Sequence, residues 1–152
     1  MNVIVEDKIK PEFAPPADMT FNTTMSDCQL LVPIAVPASD DNCAVDGYTS
    51  VTADNSVTIF EINNTWQATY PVGTTTVTAT LSDVNGNDST AVFKVTIKDE
   101  IDPTVMNCPA AMNVNTDMTS CGASNVSWTN PNGLDNCNVV YLDLTFSDGS
   151  GG

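Results

Sequence analysis

Apolar and polar residues alternate with a period of two along most of the chain, and no stretch keeps the 3.6-residue period of an amphipathic helix. The alternation predicts strands over 19–22, 29–36, 57–62, 65–70, 74–81 and 89–98, and later over 111–115, 123–128 and 139–146. Turn-forming clusters separate them: Asp40-Asp41-Asn42, Asp46-Gly47, Asn63-Asn64, Pro71-Val72-Gly73, Asn85-Gly86-Asn87 and Asn132-Gly133. The clearest hairpin joins 74–81 to 89–98 through Asn85-Gly86. Short strands at this spacing predict an all-β chain folded as antiparallel sandwich.

The pattern also repeats. Val3-Ile4-Val5-Glu6-Asp7-Lys8-Ile9-Lys10-Pro11 returns as Val95-Thr96-Ile97-Lys98-Asp99-Glu100-Ile101-Asp102-Pro103, an offset of 92. Pro16-Ala17, Met19 and Cys28 return as Pro109-Ala110, Met112 and Cys121 at 93, and Asp41-Asn42-Cys43 as Asp135-Asn136-Cys137 at 94. Loops absorb a drift of one or two residues. Residues 1–10 therefore read as the end strand of a preceding repeat or a linker. Residues 11–99 read as a complete sandwich, and 100–152 as the first half of a second one. That half is completed by further chain or by a neighbouring copy, since half a sandwich leaves strand edges unpaired.

The repeated residues resemble the hyalin repeat (HYR) domain family. The second unit carries Asp99, Pro103, Cys108-Pro109, Cys121 and Asp135-Asn136-Cys137. The first carries Asp7, Pro11, Cys28, Asp41-Asn42-Cys43, a Pro71-Val72-Gly73-Thr74-Thr75-Thr76-Val77-Thr78 run and Gly86-Asn87. The resemblance implies tandem immunoglobulin-like sandwiches in extracellular, adhesion-linked proteins, and no catalysis. It also implies a bridge that unit one lacks: Pro15 and Ala91 stand where the family has cysteines. By the same resemblance Cys108 pairs outside this segment and is unpaired within it.

Charge narrows the chemistry. The chain has 19 acidic residues, four Lys, no Arg and no His, for a net charge of −15. With no Arg and only four Lys there is no cationic surface to neutralise phosphates, so nucleic acid and anionic membrane are not expected as partners. Without His there is no imidazole base or imidazole metal ligand. Carboxylates are numerous, but no pattern selects a catalytic pair, so an enzyme is not expected. No apolar run is long enough to span a bilayer.

Five cysteines in a small polar chain, none in a CxxC pair, favour an oxidising, extracellular setting. Their equivalent placement in both units predicts Cys28–Cys43 and Cys121–Cys137 bridges, closing loops of 15 and 16 residues. Such a bridge stabilises by roughly 3 kcal/mol in the chain-entropy view. For a cation, Asp83, Asn85 and Asn87 place oxygen ligands at alternate positions, as calcium loops do. Asp7, Asp40, Asp41, Asp99 and Asp135, at unit boundaries and in the Asp-Asn-Cys loops, form a second candidate calcium set; calcium is the one ion expected, and no cofactor is required. The competing reading makes these residues Asx-turns in a solvated acidic surface. Asn22, Asn63, Asn87 and Asn125 sit in Asn-x-Ser/Thr acceptor sequences for glycosylation. Trp66, Trp128, Tyr70 and Phe93 lie in alternating runs and are expected to pack between sheets, with a sugar-stacking platform as the alternative.

The functional expectation is an extracellular or cell-surface structural protein: an adhesin, stalk or filament whose partners are adjacent repeats or copies of itself, polymerising by strand complementation in one version. The alternative is an accessory module of a larger secreted protein, contacting surface glycans or proteins.

Overall fold

The computed structural model describes residues 1–138 together with Leu142 and Asp143; the expected strand at 139–146 lies almost wholly outside them. All regular structure among the described residues is β, and no helix is long and apolar enough to cross a membrane. Eleven strands follow in order: β1 (Glu12–Phe13), β2 (Met19–Asn22), β3 (Gln29–Ala35), β4 (Ser39–Asp40), β5 (Val45–Ala53), β6 (Phe60–Glu61), β7 (Thr65–Pro71), β8 (Gly73–Asp83), β9 (Asp88–Lys98), β10 (Thr104–Met106) and β11 (Asn132–Leu134). They fall into two units, Met1–Glu100 and Ile101–Gly152.

The first unit is a sandwich of a four-stranded sheet, β2-β9-β8-β5, on a three-stranded sheet, β3-β7-β6. Alternation decides which side chains enter the core. Val32, Ile34, Trp66, Ala68 and Tyr70 point in from the smaller sheet, and Val77, Ala79, Phe93, Val95 and Ile97 from the larger, each at most 5% exposed. Aromatic rings bridge the layers. Trp66 stacks on Phe93 with centroids 6.5 Å apart and meets the edge of Tyr48 at 4.9 Å. On the outer face of the larger sheet the same alternation exposes hydroxyls, and Thr74–Thr96 and Thr80–Thr90 bond across strands at 3.0 and 3.2 Å.

Turn chemistry sets the registers. Asn63 and Asn64 both adopt left-handed backbone (φ 51° and 57°), and Ile62 and Thr65 exchange backbone bonds around them. Two left-handed residues make the mirror-image turn that suits the twist of a hairpin. The β8–β9 hairpin turns at Asn85-Gly86, with Gly86 at φ 87°.

In the first unit four expectations need correction. Residues 45–53 form β5, which the Asp46-Gly47 pair disguised as a turn. Gly47 (φ 120°) is instead a bulge, where the register against β8 shifts between Val45 and Gly47. The strand expected over 57–62 shrinks to Phe60–Glu61, because only those two residues pair with β7. β2 runs parallel to β9, not antiparallel; alternation says which face is inside and nothing about the direction of the neighbour.

The fourth is the Cys28–Cys43 bridge, which is not formed: Cys43 is an exposed free thiol, while Cys28 is disulfide-bonded. The reason is distance. Cys28 accepts a backbone bond from Val72 at the β7–β8 turn, whereas Cys43 lies two residues before Val45, which pairs with Asp83 at the far end of β8. Eleven residues of β8 span about 33 Å at roughly 3.3 Å each, against the ~5.5 Å between Cα atoms that a disulfide requires. A short loop in sequence carries the chain from one end of the sandwich to the other.

In the second unit β10 and β11 pair antiparallel, Val105 opposite Gly133. The strands expected over 111–115 and 123–128 are absent there, since alternation makes a strand only where a partner supplies the ladder. Trp128 is 41% exposed, unlike the buried Trp66, Tyr70 and Phe93. Cys108 and Cys121 are exposed free thiols and Cys137 is disulfide-bonded, so the Cys121–Cys137 pairing is not formed either. Asp117 shapes the loop before Cys121: its backbone N–H bonds the Gly122 carbonyl and its carboxylate accepts from Ser124 N–H.

Candidate metal centre

One end of the first sandwich gathers acidic side chains from three separate segments. Asp7 comes from the chain ahead of β1, Asp41 from the loop between β4 and β5, and Asp83 from the last position of β8. One ligating oxygen of each lies within 4.8 Å of the others. Asp83 is 3% exposed, Asp7 and Asp41 half-buried.

Each carboxylate is aimed by its own local structure. Asp83 Oδ1 accepts from the backbone N–H groups of Asn85 and Asn87 at 2.9 and 2.8 Å, and its Oδ2 from Asn87 Nδ2 at 2.7 Å. The hairpin turn thus folds around the carboxylate. Asp41 Oδ2 caps the Asp-Asn-Cys loop, accepting from Cys43 N–H at 2.9 Å and Ala44 N–H at 3.2 Å. Its Oδ1 is buried and has no hydrogen-bond partner. Asp7 ties the upstream segment down. Its Oδ1 accepts from Ile9 N–H at 3.0 Å and Asn42 Nδ2 at 3.4 Å, and its Oδ2 from Asn85 Nδ2 at 3.1 Å. Asn87 Nδ2 also donates to the Asp7 carbonyl at 3.3 Å.

The electrostatics follow from these donors. The Ile9 N–H, helped by the Cys43 thiol and the Asn42 and Asn85 amides, holds the Asp7 carboxyl below its ordinary value. For Asp83, burial pushes upward, but the Asn87 and Asn85 donors together outweigh it and the net shift is downward. Both groups are therefore carboxylates at neutral pH. The Cys43 thiol is pushed up, first by donating to Asp7, then by burial and by the charges of Asp7, Asp41 and Asp83. That opposes thiolate formation.

Of the expected ligand residues, Asp7, Asp41, Asp83, Asn85 and Asn87 meet here. Asp40 is exposed on β4, and Asp99 accepts from Thr23 Oγ1 at 3.1 Å. Asp135 lies in the second unit, where it caps Cys137 N–H at 2.8 Å as Asp41 caps Cys43. Asn42, which donates to Asp7, was missed; its place in the repeated Asp-Asn-Cys triplet was the available signal. Of the acceptor asparagines, Asn63 stands exposed on a hairpin turn, Asn22 donates to Glu100, Asn125 is exposed in the second unit, and Asn87 is half-buried and donates to Asp7 and Asp83.

Hard oxygen donors of this kind suit calcium, which takes six to eight oxygens in flexible geometry. The three carboxylates can supply three to six, while Asn85 and Asn87 turn their amide nitrogens toward them as donors.

Residues 35–97 match the HYR domain. The match runs from the last residue of β3 to near the end of β9, and so includes Asp41, Asp83, Asn85 and Asn87 but not Asp7. No curated protein matches the chain.

Proposed function

We propose that this protein is an extracellular structural and adhesive element in which sandwich units are linked in series and stiffened by calcium. The observation that supports it most is the origin of the acidic cluster. Asp7 belongs to the segment leading into the sandwich, while Asp41 and Asp83 belong to its own loops. A cation held by all three would fasten the incoming chain to the domain that follows. Asp7 and Asp41 recur in sequence as Asp99 and Asp135. The HYR match supports an extracellular, adhesion-type module without catalysis. The partners this reading requires are further sandwiches of the same chain or copies of it; strand complementation between copies is its polymerising form.

In mechanism, Asp83 is the preorganised anchor, since its turn already surrounds it. Asp41 offers the unpartnered Oδ1, and Asp7 closes from the linker side. Bound calcium supplies positive charge that cancels the mutual repulsion of the three carboxylates. Adding calcium to chelator-treated protein should raise the melting temperature of the first unit by several degrees, as expected for any ligand bound only by the folded state. Asp83→Asn should abolish that rise. A melting temperature indifferent to millimolar calcium would end the proposal. Sedimentation at rising protein concentration, with and without calcium, reads the polymerising form separately.

A further inference from the structure

At the opposite end of the first sandwich lies a groove of about 490 Å3, within the range of small-ligand sites. Its floor is the outer face of the smaller sheet, where Gln29 of β3 pairs with Pro71 of β7, and Leu31 with the exposed Thr69. One wall is the loop between β5 and β6, presenting Asn55, Ser56 and Thr58. The other is Phe60, a residue 61% exposed.

Three features characterise this groove. None of its lining residues is charged, in a chain carrying 19 acidic groups. It mixes two amides and three hydroxyls with one open aromatic ring. Its wall is also strained and held rigid. Asn55 and Ser56 are consecutive left-handed residues (φ 54° and 59°), a conformation that costs a serine energy. The strain is held by Asp54, which exchanges bonds with Thr76 (2.8 and 3.1 Å), and by Asn55 Nδ2 donating to the Thr74 carbonyl at 3.1 Å. The acidic cluster is about 33 Å away along β8, several screening lengths at physiological salt, so a ligand here meets little of its field.

We infer that this groove binds a neutral oligosaccharide. Sugars present hydroxyls that both donate and accept, which amides and hydroxyls answer in kind. Their C–H faces lie on aromatic rings, which Phe60 offers. Acidic glycans are disfavoured because the groove offers no cationic side chain to pair with their carboxylates or sulfates. The inference is independent of calcium at the other end.

The test is two-dimensional amide NMR of the 152-residue protein titrated with cellohexaose, maltohexaose, mannohexaose and xylohexaose, with a heparin hexasaccharide as the acidic comparison. At least one neutral probe should shift the signals of Gln29, Asn55, Ser56, Thr58 and Thr69, and heparin should not. Phe60→Ala, a change at an exposed ring, should leave melting unchanged and weaken binding about tenfold, near the upper value of one aromatic contact. Asp83→Asn should leave sugar binding unchanged. No shifts with any neutral probe at millimolar concentration overturn the inference, as do shifts elsewhere or binding indifferent to Phe60→Ala. Shifts of the same residues with protein concentration alone would overturn it too, assigning the face to a second copy.

Discussion

Trp66 carries two opposed contributions that substitution separates. Its ring is 1% exposed, packed between Phe93 and Tyr48, yet its indole N–H is buried without a hydrogen-bond partner. Trp66→Phe keeps a ring in both aromatic contacts but removes about 40 Å3 of side chain, a loss of roughly 1 kcal/mol at ~24 cal/mol per Å3 of cavity. It also removes the unpaired donor, whose burial costs about 1–3 kcal/mol. The net expectation runs from neutral to about 2 kcal/mol more stable. Trp66→Ala has no such compensation beyond the same relieved donor, and should cost about 3–5 kcal/mol. Urea unfolding followed by far-UV circular dichroism reads both variants without relying on Trp66 emission, and an unchanged m-value confirms that the midpoint shift reports stability. The reasoning fails if the Phe variant loses more than about 2 kcal/mol. Then the N–H is satisfied, or the larger ring is needed to fill the space between the sheets.

Three further outcomes follow from particular residues. Asp7 and Asp83 have carboxyls held below their ordinary value of 3.8. Their stabilising share is therefore complete above that pH and is lost as pH falls through their lower folded values; melting temperature should drop steeply below about pH 4, and less steeply in Asp83→Asn. Gly47 sits at φ 120° with open space where a Cβ would go, so Gly47→Ala should cost about 1–3 kcal/mol from backbone strain alone, and a neutral result in urea unfolding would show that the bulge relaxes. Cys43 should alkylate slowly with iodoacetamide at pH 7.5, faster after Asp7→Asn removes the acceptor charge, and peptide mapping without reductant should find it unbridged to Cys28; a recovered Cys28–Cys43 peptide would refute the end-to-end placement of the two residues.

Much of the first unit was legible because its signals are local. The β8–β9 hairpin needs only alternating Thr and Val around Asn85-Gly86, and the β6–β7 turn only two asparagines tolerant of left-handed backbone. Trp66, Tyr70 and Phe93 fall on the inward parity of their strands, as the alternation required. Asp46-Gly47 misled because the same dipeptide serves a turn or a bulge, and only a partner strand tells which. The cysteines misled because loop length measures contour and not position.

From sequence alone came the β class, the repeat, the acidity, and the list of candidate oxygen ligands. Each depends on composition or on periods of a few residues. Tertiary structure decided which of those ligands meet. Asp7, Asp41 and Asp83 are 34 and 42 residues apart in successive steps, and they converge only because β8 ends where the loop before β5 begins and the upstream segment lies across both. It also decided that Phe60, unremarkable in the chain, faces out over a groove while Trp66 faces in. Convergence of distant segments is set by the order and register of strands, and single-strand alternation holds no information about either.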